Sequence, residues 1–200
     1  MKNRYLRKAI KTGKHSLNLE QLKKLLSVID DVRNEALLYL AIDMGIRRDD
    51  IVRIKISQIN FQENIIEYYQ KKKGYNHKAH FEQKTATIIK KYLSTRKDNK
   101  RWLFPSRYKN SKTGHLSGRR IYSIYHDYLV EAGIILDSEN KPFHSLRSTC
   151  IKLKQSVGWT PTQTAEHVDD TLRVIENHYS TPTFDEMKKL SKEKQSMEEL

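Results

Sequence analysis

The chain has little cysteine, proline or glycine: one, four and seven residues respectively in 200. A single thiol, Cys150, excludes an intrachain disulfide and any metal site built on several cysteines, and it suits a reducing compartment. No apolar run approaches the roughly 18 residues that a membrane-spanning helix needs. Residues 1–14 are basic and polar, without the apolar stretch of a secretory signal. These absences predict a cytoplasmic, intracellular protein with no membrane partner. Acidic residues are also scarce, since 24 Asp and Glu stand against 38 Lys and Arg, giving a formal charge of +14 and a pI of about 9.7. Such an excess points to a polyanionic partner, nucleic acid before others. No phosphate loop of the form G-x-x-x-x-G-K-[ST] is present, so no bound nucleotide is expected.

What is present is enough for a folded unit. An apolar share of 37% supports a modest core at this length, as one domain or two small ones, and rules out collagen-like or largely disordered chains. Lys2, Arg4, Arg7, Lys8, Lys11 and Lys14 occur before any acid, so residues 1–15 read as a basic N-terminal arm. Folding is expected to begin near Ser16. Asn18 and Gln21 form a capping-box pair, and Leu22, Leu25, Leu26 and Ile29 recur at helical spacing. A second helix follows from Asp31, with Ala36, Leu37, Leu40, Ala41 and Met44 inward and Gly45 as its stop. A short helix over 49–54 precedes two β-rich runs, 56–61 and 65–70, and a hairpin whose tip carries Lys71, Lys72, Lys73 and Gly74.

Helices resume over 83–95 and 117–132, separated by a basic loop around Pro105. Between Tyr68 and Gly114 there are fourteen Lys and Arg against two acids, Glu82 and Asp98, so the positive charge is concentrated there. Three helices, 144–157, 161–168 and 171–178, lead to a mixed-charge tail helix from Phe184 onward. Tyr122, Tyr125 and Tyr128 are spaced as core residues of their helix, with Arg119 and Arg120 as phosphate contacts.

Several residues are suited to chemistry on an anion. His144 and Arg147 lie one turn apart on a helix that Pro142 prevents from starting earlier, so both can reach one phosphate. A capping or core role is the plain alternative for His144. Arg147 sits among Leu146, Cys150, Ile151 and Leu153, and a guanidinium so placed wants a planar anion, either phosphate or the carboxylate of Asp169 or Asp170. The adjacent pairs Asp49–Asp50 and Asp169–Asp170 stand at helix starts, where capping is their expected use, and no convincing carboxylate cluster for magnesium is found. No metal and no cofactor is predicted.

Taken in order, these segments resemble the tyrosine recombinases, the phage integrase family, over residues 16–180. Gly45-Ile46-Arg47-Arg48-Asp49-Asp50 is similar to that family's glycine-x-arginine box with its acid three positions on. Trp102-Leu103-Phe104-Pro105-Ser106 and Ala132-Gly133-Ile134 resemble the connecting segments, and Phe143-His144-Ser145-Leu146-Arg147 the histidine box. Asn177-His178-Tyr179-Ser180 looks like the nucleophile segment, and the hairpin lysine has its counterpart among Lys71, Lys72 and Lys73, with Lys72 favoured. Two departures are plain: the usual leucine-glycine-histidine turn reads Ala165-Glu166-His167, and Tyr179 comes twelve residues after His167. For His167 a surface, helix-capping role is the alternative. The family's clamp domain has only the arm 1–15 in its place, so residues 16–180 are expected to be a catalytic domain, alone or excised.

The resemblance implies a mainly helical α+β fold, with a small three-stranded antiparallel sheet packed on a helical bundle, and six catalytic residues: Arg47, Lys72, His144, Arg147, His167 and Tyr179. It implies metal-free transesterification of double-stranded DNA. Arg47 and Arg147 would neutralise the phosphate oxygens, with His144 and His167 adding donors. A phenol of pKa about 10 is ionised in only about one molecule in a thousand at neutral pH, so Tyr179 needs activation, with His144 as base. Lys72 would protonate the leaving 5′ oxygen. A homotetramer on DNA is implied, joined through the tail 181–200, whose Phe184, Met187, Leu190 and Met197 form an apolar edge that can pack in trans or in cis. A type IB topoisomerase-like nicking-closing enzyme and a non-catalytic DNA-binding protein on the same fold are the alternatives.

Overall fold

The computed structural model describes residues 16–135 and 142–178. The expected arm 1–15, Tyr179 and the tail 181–200 lie outside the described residues. Helix α1 (Leu19–Ser27) starts on the expected capping box: Asn18 Oδ1 accepts from the Gln21 N–H at 2.8 Å, and Gln21 Oε1 accepts from the Asn18 N–H at 3.0 Å. Helix α2 (Val32–Met44) is capped by Asp31, whose Oδ1 accepts from the N–H groups of Arg33 and Asn34. Ten of its thirteen residues are buried, which makes it the central helix of the fold. It ends at Gly45 in the left-handed region, φ 60°.

Helix α3 (Arg48–Ile51) and a 3₁₀ turn (Ile56–Gln58) lead into the sheet, β1 (Ile59–Asn60), β2 (Ile65–Gln70) and β3 (Tyr75–His80), antiparallel in that order. The first β-rich run shrinks to two residues. Gln58 Oε1 accepts from the Lys55 N–H while the Gln58 N–H donates to the Lys55 carbonyl, and this local turn takes the chain out of the ladder. In β2 and β3 the alternation is regular: Ile66, Tyr68 and Gln70 face inward opposite Ala79, His77 and Tyr75 in register, with His77 and Ala79 also buried.

Helices α4 (Gln83–Ser94), α5 (Gly118–Glu131), α6 (Pro142–Ser156), α7 (Pro161–Val168) and α8 (Leu172–His178) complete the described chain. The mainly helical α+β architecture with a three-stranded antiparallel sheet is thus observed. Helices α4 and α6 pack on α2, α5 packs on α6, and α7 lies against α6, α8 and β3. The apolar interior falls into two clusters. The larger spans the region from Leu17 to Leu146, and the smaller contains Cys150, Ile151, Ala165, Val168 and Ile175. Helix α6 contributes to both. Among the described residues no helix is long and apolar enough to cross a membrane.

Candidate active site

The site begins with the exit from α2. A Cβ at Gly45 would lie 3.1 Å from Val168 Cγ1 and 3.3 Å from Cys150 Sγ, so the positive φ and the packing of the smaller cluster both call for glycine. The turn releases Arg47 at the N-cap of α3. Its guanidinium is half-buried, and Nη1 donates to Gln70 Oε1 on β2 while Nη2 donates to the Asp169 carbonyl at 3.2 Å. Arg147 arrives from α6, one turn after His144, and is 3% exposed. Its Nη1 donates to the Gly45 carbonyl at 2.8 Å; Nη2 donates to Asp170 Oδ2 at 2.8 Å and to the Asp169 carbonyl at 3.4 Å.

The two guanidiniums, a hundred residues apart in sequence, therefore share one carbonyl. They also flank one carboxylate, because Asp170 Oδ2 stands 3.8 Å from Arg47 Nη2. The anion left open for Arg147 by the sequence is Asp170. Burial pushes the Asp170 carboxyl up, but its hydrogen bond to Arg147 and the charges of both arginines outweigh this and hold it below the usual carboxylate range. Its other oxygen accepts from the Thr171 N–H at 3.0 Å, so the capping role expected of this pair is only part of what Asp170 does.

Arg47, Arg147, His144, Lys71, Lys72 and Tyr122 line one cleft of about 880 Å³. Lys72 is exposed on the hairpin turn, whereas Lys73 pairs with Asp169 Oδ1 at 2.9 Å beside Tyr75. The Lys71 N–H donates to Asp50 Oδ1 at 3.1 Å, and the same oxygen accepts from Arg53 Nη2 at 3.0 Å. Asp50 thus ties α3 to the hairpin instead of capping a helix, and Asp49 accepts from Arg48 Nε. With its two basic arms, imidazole and ammonium groups around an open volume, the cleft is suited to a tetrahedral oxyanion.

His167 is not brought to the cleft. It is buried, and Nε2 lies 3.0 Å from the Asp43 carbonyl, which fixes Nε2–H as the donor. Asp43 is in the last turn of α2, where carbonyls have no intrahelical partner. His167 and the Cys150 thiol, 3.1 Å from the same oxygen, supply that partner. In this structure the His167 ring turns inward, against Trp159, and satisfies the end of another helix. Burial lowers its pKa and, for Cys150, pushes the thiol up to about 12. Tyr179, the expected nucleophile, follows α8 in sequence and lies outside the described residues.

Three contributors were missed in the sequence. Gln70 is fully buried and accepts from Arg47, and the alternation of β2, which puts a glutamine on the face of Ile66 and Tyr68, is the signal that it needs a polar partner. Tyr122, expected in the core, is 39% exposed in the cleft, while Tyr125 and Tyr128 are buried as expected. The Asp169 carbonyl left no sequence signal, because any residue carries one.

Comparison with known proteins bears on the family and the fold. The family model described as phage integrase family matches residues 15–159. The tyrosine recombinase XerA of Pyrococcus furiosus is 34% identical over 127 residues, 62% of this chain and 44% of its own length. That of Pyrococcus horikoshii is 29% identical over 119 residues, 60% of this chain and 41% of its own. The chain thus spans less than half the length of these relatives. Among solved structures, XerA recombinase superposes with a TM-score of 0.74 at 18% identity, covering 89% of this chain and 64% of that one. XerH site-specific recombinase bound to difH substrate, in a pre-cleavage complex, gives 0.69 at 18% identity, covering 87% and 52%. Matched over most of its length by the family model and sharing the fold of these recombinases, the chain belongs to the phage integrase family.

Proposed function

We propose that this chain carries the chemistry of a site-specific DNA recombinase or integrase, cleaving and rejoining double-stranded DNA through a covalent 3′-phosphotyrosyl intermediate. The observation that carries this reading is the convergence of Arg47, Lys72, His144 and Arg147 on one cleft, with the two guanidiniums close enough to share an acceptor oxygen. The DNA-bound state of the XerH structure and the basic charge of the chain support the same substrate.

In this mechanism the scissile phosphate enters the cleft, and its non-bridging oxygens are neutralised by Arg47 and Arg147. The charge of these groups is independent of pH in any useful range. The Tyr179 oxygen attacks phosphorus and its proton passes to His144. The bond from phosphorus to the 5′ oxygen breaks, and that oxygen takes a proton from Lys72. The phosphotyrosyl ester retains the phosphodiester energy, so the 5′ hydroxyl of another strand reseals the backbone by the reverse step. His167 enters as the group that fastens α7 to the end of α2, holding the cleft from behind. Exchange between two duplexes requires four such sites, so the working unit is a homotetramer on DNA, with residues 181–200 as the connector between protomers.

A labelled suicide duplex nicked near the crossover tests the reading. Wild-type protein is expected to trap a covalent adduct on a denaturing gel, and Tyr179→Phe none. Equal behaviour of the two proteins overturns it.

A further inference from the structure

The turn between α7 and α8 holds two carboxylates that the chemistry above does not use. Within these two residues, groups from three distant segments converge. Arg47 and Arg147 both donate to the Asp169 carbonyl and flank Asp170 Oδ2, while Lys73 Nζ and Tyr75 Oη of the hairpin meet Asp169 Oδ1 at 2.9 and 2.8 Å. Asp169 is one of two non-glycine residues among those described with positive φ, at 50°. That conformation lets its N–H close α7 on the Glu166 carbonyl while its own carbonyl turns to the arginines.

We propose that the Asp169–Asp170 turn is the positioning element of the strand-transfer site, acting through the two arginines and the lysine hairpin and setting them against the helix that leads to Tyr179. The inference rests on the function proposed above. Both arginines line the cleft and neither aspartate does, so Asp170 joins the two guanidiniums without itself entering the space proposed for the phosphate. Interposed between two like charges, it also offsets the repulsion that would drive them apart before DNA arrives. Asp169 does the same for the hairpin by fixing Lys73, which leaves Lys72 on the cleft side of the turn.

The third part of the argument is the attachment of α8. Its apolar contribution to the smaller cluster is Ile175, with Val174 packed against it. Asp170 accepts from the first N–H of the approach to α8 with one oxygen and from Arg147 with the other. The backbone that carries the nucleophile and the groups that grip the phosphate therefore have a common anchor. Asp170 and Asp169 are positioning residues: they touch the arginines and the hairpin, not the reacting atoms.

The test is single-turnover cleavage of the suicide duplex at saturating DNA, with the dissociation constant measured separately. Asp170→Asn keeps the side-chain shape and removes the charge. Adduct formation is expected to slow about 10- to 100-fold, as small misplacements of catalytic groups do, with the final amplitude unchanged and affinity altered less than about 3-fold. A rate equal to that of wild type overturns the proposal, as does a loss confined to amplitude or affinity. Should Asp170→Asn fail to fold, Tyr75→Phe carries the test, since it removes one tie to Asp169 and leaves the arginine contacts in place. A several-fold slower rate is then expected, and an unchanged rate overturns the proposal. Wild-type protein that forms no adduct overturns the function itself, and the positioning role with it.

Discussion

The larger apolar cluster and the α7–α8 segment are held by opposite means. Leu37, Leu38, Leu40, Phe104 and Tyr125 are fully excluded from solvent, and the burial of each large side chain contributes about 1.5–3 kcal/mol. The smaller cluster has five buried residues. Around it, Arg147 pairs with Asp170, Lys154 with Asp43 and Glu82, and His167 with the Asp43 carbonyl. Paired charges of this kind contribute little net stability, because desolvation offsets their attraction, yet they impose a geometry. The region that must stay rigid is packed with hydrocarbon, whereas the region next to the proposed nucleophile is tethered by polar bonds that an anionic ligand can share.

This contrast can be broken by substitution. The largest effect is expected from Phe104→Ala, which should cost about 3–5 kcal/mol in denaturant unfolding while leaving cleavage per folded molecule unchanged. Ile175→Ala should cost about 2 kcal/mol, at the low end for such a truncation, and its signature is local. Amide exchange should quicken in α7 and α8 with α2 still protected. Uniform quickening across both regions would show one cooperative unit instead of two.

The smallest effect is on pH dependence. Burial places the His167 imidazole below its ordinary 6.5, so its neutral form belongs to the native state. Its contribution to stability is complete above pH 6.5 and is lost as pH falls through the lower folded value. Asp169 and Asp170 are held below the ordinary carboxylate value of 3.8, so their contribution is lost only in stronger acid. The unfolding free energy should therefore fall as the pH drops below 6.5, by no more than about 1.4 kcal/mol per pH unit. His167→Gln, which keeps a donor for the Asp43 carbonyl, should flatten that slope.

Much of the fold was legible because its signals are local. The capping pair Asn18–Gln21, the Asp31 cap, the Gly45 stop and the Ser117 cap each satisfy backbone groups within a few residues, and Pro161 in the first turn of α7 has no N–H to satisfy, so neighbours in sequence suffice to identify these ends. The first β-rich run misled because Gln58 can bond its own turn, a competition that β-propensity does not register. In the site, the order of boxes put forward Arg47, Lys72, His144 and Arg147, and these four line one cleft. It did not show which way an imidazole turns. His167 lies in a segment that matches the family's pattern loosely, and its ring is claimed by a helix end 124 residues away.

The sequence by itself determined the helices and their ends, the positive charge, and the arginine, lysine and histidine groups available to an anion, because composition, periodicity and capping act over short distances. Only the tertiary structure decided which of those groups face one cleft. Whether a guanidinium is aimed at solvent or at a neighbour depends on acceptors brought from elsewhere in the chain, here the Asp169 carbonyl and the Asp170 carboxylate, and no local pattern encodes that meeting.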